Sequence, residues 1–154
     1  MAAAMETAAI IVAAGSGQRA GGTGPKQLAL LGGRPMLEWS LTQLASHGGV
    51  ARTVLVVPPA EVKAYSERFG VADLVVGGGE TRTTSVLAGL RAMEGRSAFA
   101  GVTHVLIHDA ARPVLDSGTI DRLIEALVEY DGAAPALPVV DALKRQSGTG
   151  LENI

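Results

Sequence analysis

Five short apolar runs punctuate the chain: Ala8–Ala13, Thr53–Val57, Leu74–Val76, Val102–Ile107 and Ala133–Val140. Bounded by Gly, Pro and polar residues, they read as strands. Between them the apolar period changes. In Ser117–Tyr130, Ile120, Leu123, Ile124, Leu127 and Val128 recur at the spacing of one helical face. Asp116 or Ser117 can cap its start. Pro35–His47 places Leu37, Leu41, Leu44 and Ala45 on one side, with Pro35 suited to a first turn. Arg82–Glu94 presents Val86, Leu90 and Met93, and Ala60–Phe69 carries a weaker helical pattern. Alternation of strand and helix predicts parallel βαβ units: an α/β fold with a mainly parallel sheet flanked by helices.

Composition narrows this picture. The 154 residues suggest one domain, 1–154. Apolar residues make up 47% and aromatics 3%, so the core is built from Val, Leu, Ile and Ala. Such a core suits a parallel sheet covered by helices. A net charge of −2 provides no electrostatic case for nucleic acid or an anionic membrane as partner. The absence of cysteine excludes disulfides, thiolate metal sites and a cysteine nucleophile, and fits a cytoplasmic protein. Met1–Gly17 has the outline of a signal peptide, but the first seven residues carry no Lys or Arg and include Glu6. The apolar run is read as the first strand instead.

Three polar clusters follow strands, where an open α/β sheet binds its ligands. The first is the loop after Ala8–Ala13. It holds five glycines (Gly15, Gly17, Gly21, Gly22 and Gly24) and two cations, Arg19 and Lys26. Small residues let backbone N–H groups approach an anion, and the cations can neutralise phosphate oxygens. The loop is neither of two familiar phosphate motifs. Ala20 takes the third glycine position of G-x-G-x-x-G without a helix starting at once, and Pro25-Lys26-Gln27 replaces Gly-Lys-Ser/Thr.

The second cluster is Gly77–Ser85, where three glycines precede a helix start. An ordinary turn with a solvated Arg82 explains it as well as a base or ribose site does. The third is His108-Asp109-Ala-Ala-Arg112-Pro113. Asp109 suits Mg²⁺ or a hydroxyl, and Arg112 can grip a phosphate bidentately. The competing reading is an Asp–Arg ion pair that holds a loop. His108 is expected to make a structural hydrogen bond, His47 and His104 to lie on the surface, and Met36 and Trp39 to pack their helix. Asp141-Ala-Leu-Lys144 is a weaker fourth cluster.

Ala13–Arg19, Pro25–Gln27, Gly78–Val86, His108–Pro113 and Asp141–Lys144, in this order, resemble the 2-C-methyl-D-erythritol 4-phosphate cytidylyltransferases of the non-mevalonate isoprenoid pathway. The resemblance runs from Ala8 to about Lys144. It implies a Rossmann-like, nucleotide-diphospho-sugar transferase-like fold and a homodimer whose β-arms cross between partners. It also implies transfer of CMP from CTP to methylerythritol phosphate with Mg²⁺. Carried over by position, Arg19 and Lys26 are the catalytic cations. The backbone of Ala13, Ala14, Gly15 and Gly17, with Gly79, Glu80 and Ser85, surrounds cytidine. Asp109, Arg112 and Lys144 lie on the methylerythritol phosphate side, with Asp109 at the metal.

The chain departs from the family pattern in two places. Ala142 stands where the family usually has Thr. The chain also stops at Ile154, before the rest of the arm, a Thr-Pro-Gln segment and a later lysine. The expectation is a truncated product that binds CTP and turns over poorly. Alternatives are a ribitol 5-phosphate cytidylyltransferase, the first half of a bifunctional enzyme, or a non-catalytic nucleotide-binding module.

Overall fold

The computed structural model describes residues 6–15 and 24–153. The chain begins with β1 (Glu6–Val12), then a small hairpin of β2 (Leu30–Leu31) and β3 (Arg34–Pro35), and α1 (Met36–Ala45). There follow β4 (Arg52–Val57), α2 (Val62–Arg68), β5 (Leu74–Gly77), α3 (Arg82–Met93), β6 (Val102–Asp109) and α4 (Ser117–Ala126). A second hairpin, β7 (Lys144–Ser147) and β8 (Gly150–Asn153), comes last. The main sheet has the order β5-β4-β1-β6, and all its neighbours are parallel. The chain steps outward from β1 to β5, then returns to the far side of β1. The direction of winding therefore reverses beside β1, which opens a crevice at the carboxyl ends of β1 and β6.

The sequence of β1 explains why it is central. Ala8, Ala9, Ile10 and Ile11 have no exposed surface, and a strand buried on both faces reads as a continuous apolar run. Alternate residues serve opposite layers. Ala9 and Ile11 share a core with Leu37, Leu41 and Leu44 of α1, Tyr65 of α2, Phe69 and Ile120 of α4. Ile10 joins Val54 and Val56 against Leu90 and Met93 of α3. Leu41 is fully buried in the first of these cores. Leu41→Ala is expected to lower the unfolding free energy by about 2–5 kcal/mol, measured by denaturant titration, because it loses both burial and packing.

The helix starts follow local chemistry. Asp116 caps α4 by accepting the Thr119 N–H at 2.9 Å. In α3, Thr81 and Thr84 cap reciprocally: each side-chain oxygen accepts the other's N–H, at 3.1 and 2.9 Å. Gly32 and Gly33, at φ 59° and 82°, make the two-residue turn of the first hairpin. Trp39 packs on that hairpin, donating to the Leu31 carbonyl at 2.9 Å with the Arg34 guanidinium 4.5 Å from its ring centre.

Several sequence expectations need correction. Ala133–Val140 is not a strand; it pairs with no neighbour, and Leu137 and Val140 are 90% and 91% exposed. Pro135 and Pro138 lack the N–H groups a ladder needs, so apolar content alone does not recruit the segment to a sheet. The regular part of α4 ends at Ala126, and turns carry the chain on to Glu129. Pro35 precedes α1 as its cap residue rather than entering its first turn. His47 is buried, not on the surface: Nδ1 accepts the Gly49 N–H at 3.1 Å, and Nε2 lies 3.3 Å from Asp121 of α4. His104 is half-buried, with Nδ1 2.9 Å from the Thr103 hydroxyl. Near the C-terminus the chain turns between Ser147 and Gly150, which pair across the β7–β8 hairpin. Among the described residues no helix is long and apolar enough to cross a membrane.

Candidate active site

The carboxyl ends of β1, β5 and β6 bring the three polar clusters to one edge of the sheet. Val12 and Asp109 are register partners, so the exit of β1 lies level with Asp109. Ala13 continues the sheet by donating to the Val56 carbonyl at 2.7 Å, and Ala110 donates to the Val12 carbonyl at 3.0 Å. Gln27 then fastens the loop. It is 4% exposed, and its Nε2 donates to the carbonyls of Ala13 at 2.7 Å and Gly15 at 3.2 Å. Gln27 sits in a single 3₁₀ turn, Lys26–Leu28, which leaves the adjacent Lys26 exposed beside the loop it closes. Gly17 and Arg19 lie outside the described residues.

The β5 loop packs against the same exit. A Cβ on Gly78 would come 2.6 Å from the Ala14 Cβ and 2.8 Å from the Ser85 hydroxyl. Glycine is therefore what allows the two loops to touch. Ser85 is 2% exposed; its hydroxyl accepts the Gly79 N–H at 3.1 Å and lies 3.2 Å from the Gly79 carbonyl. Its side chain thus shapes the backbone of the loop, while Glu80 stands exposed at the rim.

The β6 end forms the ion pair of the competing reading, and a second one besides. Asp109 forms an ion pair with Arg112, Nε lying 3.2 Å from Oδ2, and a second with Arg82, whose Nε donates to Oδ1 at 2.8 Å. The backbone of Arg112 is anchored from three sides. Its N–H donates to the Asp109 carbonyl at 2.9 Å, and its carbonyl receives the Ser40 hydroxyl at 3.1 Å and His108 Nε2 at 3.0 Å. The expected structural role of His108 is this bond. Lys144 is elsewhere: it starts β7, paired in register with Asn153, and is exposed. No hydrogen bond or ion pair joins it to the strand-end loops among the described residues.

Burial lowers the His108 pKa below its ordinary 6.5, outweighing the Arg112 carbonyl bond and the Asp109 charge, which raise it. The neutral ring then donates Nε2–H to the Arg112 carbonyl. Between the lowered value and 6.5 the unfolded chain binds more protons than the folded one, so stability rises with pH in that window. Acidification from about pH 7.5 to about pH 5.5 is expected to lower the denaturation midpoint, and His108→Gln to reduce that pH dependence. An unchanged pH dependence in the variant would remove His108 from the account.

Two site residues carried no assigned role in the sequence reading. Gln27 was visible only as part of a motif, since its burial depends on where β1 exits. Arg82 left a fainter signal: a cation in the first turn of a helix opposes the helix dipole, so something else must hold it.

Residues 7–152 match the family described as 2-C-methyl-D-erythritol 4-phosphate cytidylyltransferase. The chain belongs to this family. A 2-C-methyl-D-erythritol 4-phosphate cytidylyltransferase of Cereibacter sphaeroides is 48% identical over 147 residues, which cover 94% of this chain and 64% of the relative. The chain thus spans just under two thirds of that relative's length. A bifunctional enzyme IspD/IspF of Rhodospirillum rubrum is 44% identical over 93% of this chain and 37% of its own. A solved 4-diphosphocytidyl-2C-methyl-D-erythritol synthase superposes with a TM-score of 0.77 at 30% identity, covering 97% of this chain and 68% of the other. The synthase of Anaerococcus prevotii, at 22% identity and TM-score 0.77, supports the family fold. The Rossmann-like sheet flanked by helices is therefore the family's own architecture.

Proposed function

We propose that this protein transfers CMP from CTP to 2-C-methyl-D-erythritol 4-phosphate, releasing pyrophosphate. The observation that carries this reading is the convergence of the β1, β5 and β6 loops at one crevice, in a chain belonging to this family. The β1 loop offers backbone N–H groups and the cations Lys26 and Arg19 to the triphosphate. The Gly79–Ser85 segment offers peptide groups and Glu80 to cytosine and ribose. Asp109 and Arg112 serve the acceptor side.

A phosphate oxygen of the acceptor attacks the α-phosphorus of CTP in line. The new P–O bond forms as the bond to the bridging α–β oxygen breaks, and the electron pair leaves with pyrophosphate. The acceptor phosphate is already ionised near neutral pH, so the reaction needs positioning and charge neutralisation rather than a strong base. Mg²⁺ commonly binds through one or two carboxylates together with substrate phosphates. Asp109 is the carboxylate at the strand ends that would hold it; each of its oxygens already meets one arginine and keeps a second lone pair for the ion. Bound there, Mg²⁺ would neutralise phosphate charge. A homodimer built through the C-terminal arm, and a cytoplasmic location, complete the proposal.

Labelled CTP offered to the full-length protein with methylerythritol phosphate, and separately with ribitol 5-phosphate, tests the reaction. Transfer to the first acceptor and tighter calorimetric binding of CTP than of ATP are expected. Transfer only to ribitol 5-phosphate, or equal affinity for the two nucleotides, would overturn the assignment.

A further inference from the structure

Arg82 links two loops that the proposed reaction assigns to different substrates. It opens α3, inside the segment that faces cytidine in the proposed function, yet its guanidinium reaches across to the β6 loop on the acceptor side. There Asp109 stands between two cations, with Arg82 on Oδ1 and Arg112 on Oδ2, both through Nε. No hydrogen-bond partner for the terminal amino groups of Arg112 occurs among the described residues.

An exposed ion pair contributes little to stability. Both arginines are mostly exposed, at 59% and 76% of their side chains, so holding the fold together is a weak reason for this arrangement. The backbone anchoring of Arg112 by Ser40, His108 and Asp109 is the mark of a built position, and Arg82 completes it at the level of the side chain. Carboxylates take arginine most strongly through two parallel N–H···O bonds. With Oδ1 occupied by Arg82, Asp109 can hold Arg112 at one point only. The same contact cancels the carboxylate's charge where a phosphate must approach.

We propose that Arg82 is a positioning residue for the acceptor phosphate: it holds one oxygen of Asp109 so that Arg112 keeps its terminal amino groups for that phosphate. This rests on the proposed function. Without Arg82, Asp109 closes on Arg112 as a two-point fork, and the terminal donors turn inward. The paradox this predicts is specific. A substitution in the cytidine-side segment should weaken the other substrate.

The test uses the full-length protein at saturating Mg²⁺. Arg82→Gln is expected to raise KM for methylerythritol phosphate about tenfold and KM for CTP less than about threefold, the size of one coupled contact. Arg82→Lys retains the charge and should recover most of the loss. In an Asp109→Asn background, Arg82→Gln should add less than about threefold, because its object is gone. An equal rise in both KM values, or fully multiplicative effects in the double variant, would overturn the inference. Wild-type protein that transfers nothing to methylerythritol phosphate would instead overturn the proposed function. Calorimetric titration of inorganic phosphate does not depend on the reaction: weaker binding to Arg82→Gln supports the role of Arg82, and equal binding refutes it.

Discussion

Lys26→Ala in the full-length protein is expected to lower kcat about a hundredfold, as removal of one preorganised charge contact in a transition state does. The reason lies in where the chemistry builds charge. In the proposed transfer, negative charge grows on the bridging oxygen and the departing pyrophosphate, and a cation placed beforehand beside the β1 loop needs no reorganisation to meet it. Lys26 is so placed: it is exposed at the start of a 3₁₀ turn whose next residue is fastened to the exit of β1. Lys26→Arg keeps the charge but changes its reach and should recover part of the rate. Steady-state kinetics decides the role. A raised KM for CTP with unchanged kcat would make Lys26 a binding residue and reject the transition-state role.

Gln27→Leu is expected to weaken CTP binding by at least about tenfold and to cost about 1–3 kcal/mol of stability, the penalty for leaving a buried polar group without its partner. Two carbonyl oxygens, those of Ala13 and Gly15, receive the Gln27 amide nitrogen. Leucine fills the volume but provides no donor, so the buried Ala13 carbonyl loses its hydrogen bond and the loop loses its clasp. Gln27→Glu discriminates further. An ionised carboxylate would face two carbonyl oxygens with no proton to donate, so the glutamate variant should be worse than the leucine one. Calorimetry with CTP and chemical denaturation measure the two effects separately. Unaltered CTP affinity in both variants would show that the β1 exit keeps its shape without Gln27. Because Gln27 also positions Lys26, its loss should lower kcat as well, and the two substitutions together should fall short of additivity.

Much of this could be read from the chain alone. Burial on both faces made β1 a continuous apolar run, the 3.6-residue period marked α1, α3 and α4, and the βα alternation required a parallel sheet. That reading also predicts the site's location, because in such a sheet the ligand-bearing loops gather at the carboxyl ends of the strands. The glycine-rich loop, Lys26, Asp109 and Arg112 were all recognisable as candidate chemistry for that reason. Local sequence carries these features because they depend on neighbours one to four residues away.

What depended on distant neighbours was not legible. Ala133–Val140 has strand-like hydrophobicity, but a strand exists only where an edge accepts it, and two prolines cannot complete a ladder. His47 reads as a surface residue until α4 is placed over the end of α1 and Asp121 meets its ring. Gln27 reads as one polar residue in a motif until the exit of β1 turns two carbonyls toward it across 12 and 14 positions of sequence. Arg82 and Asp109, 27 residues apart, meet only because β5 and β6 end at the same edge of the sheet. The sequence by itself determined the layers, the strand direction and the chemical types available at the crevice, since periodicity and composition act locally. The tertiary structure alone decided which carboxylate holds which cation and which amide holds the loop, because hydrogen bonds and ion pairs form by distance in space and not along the chain.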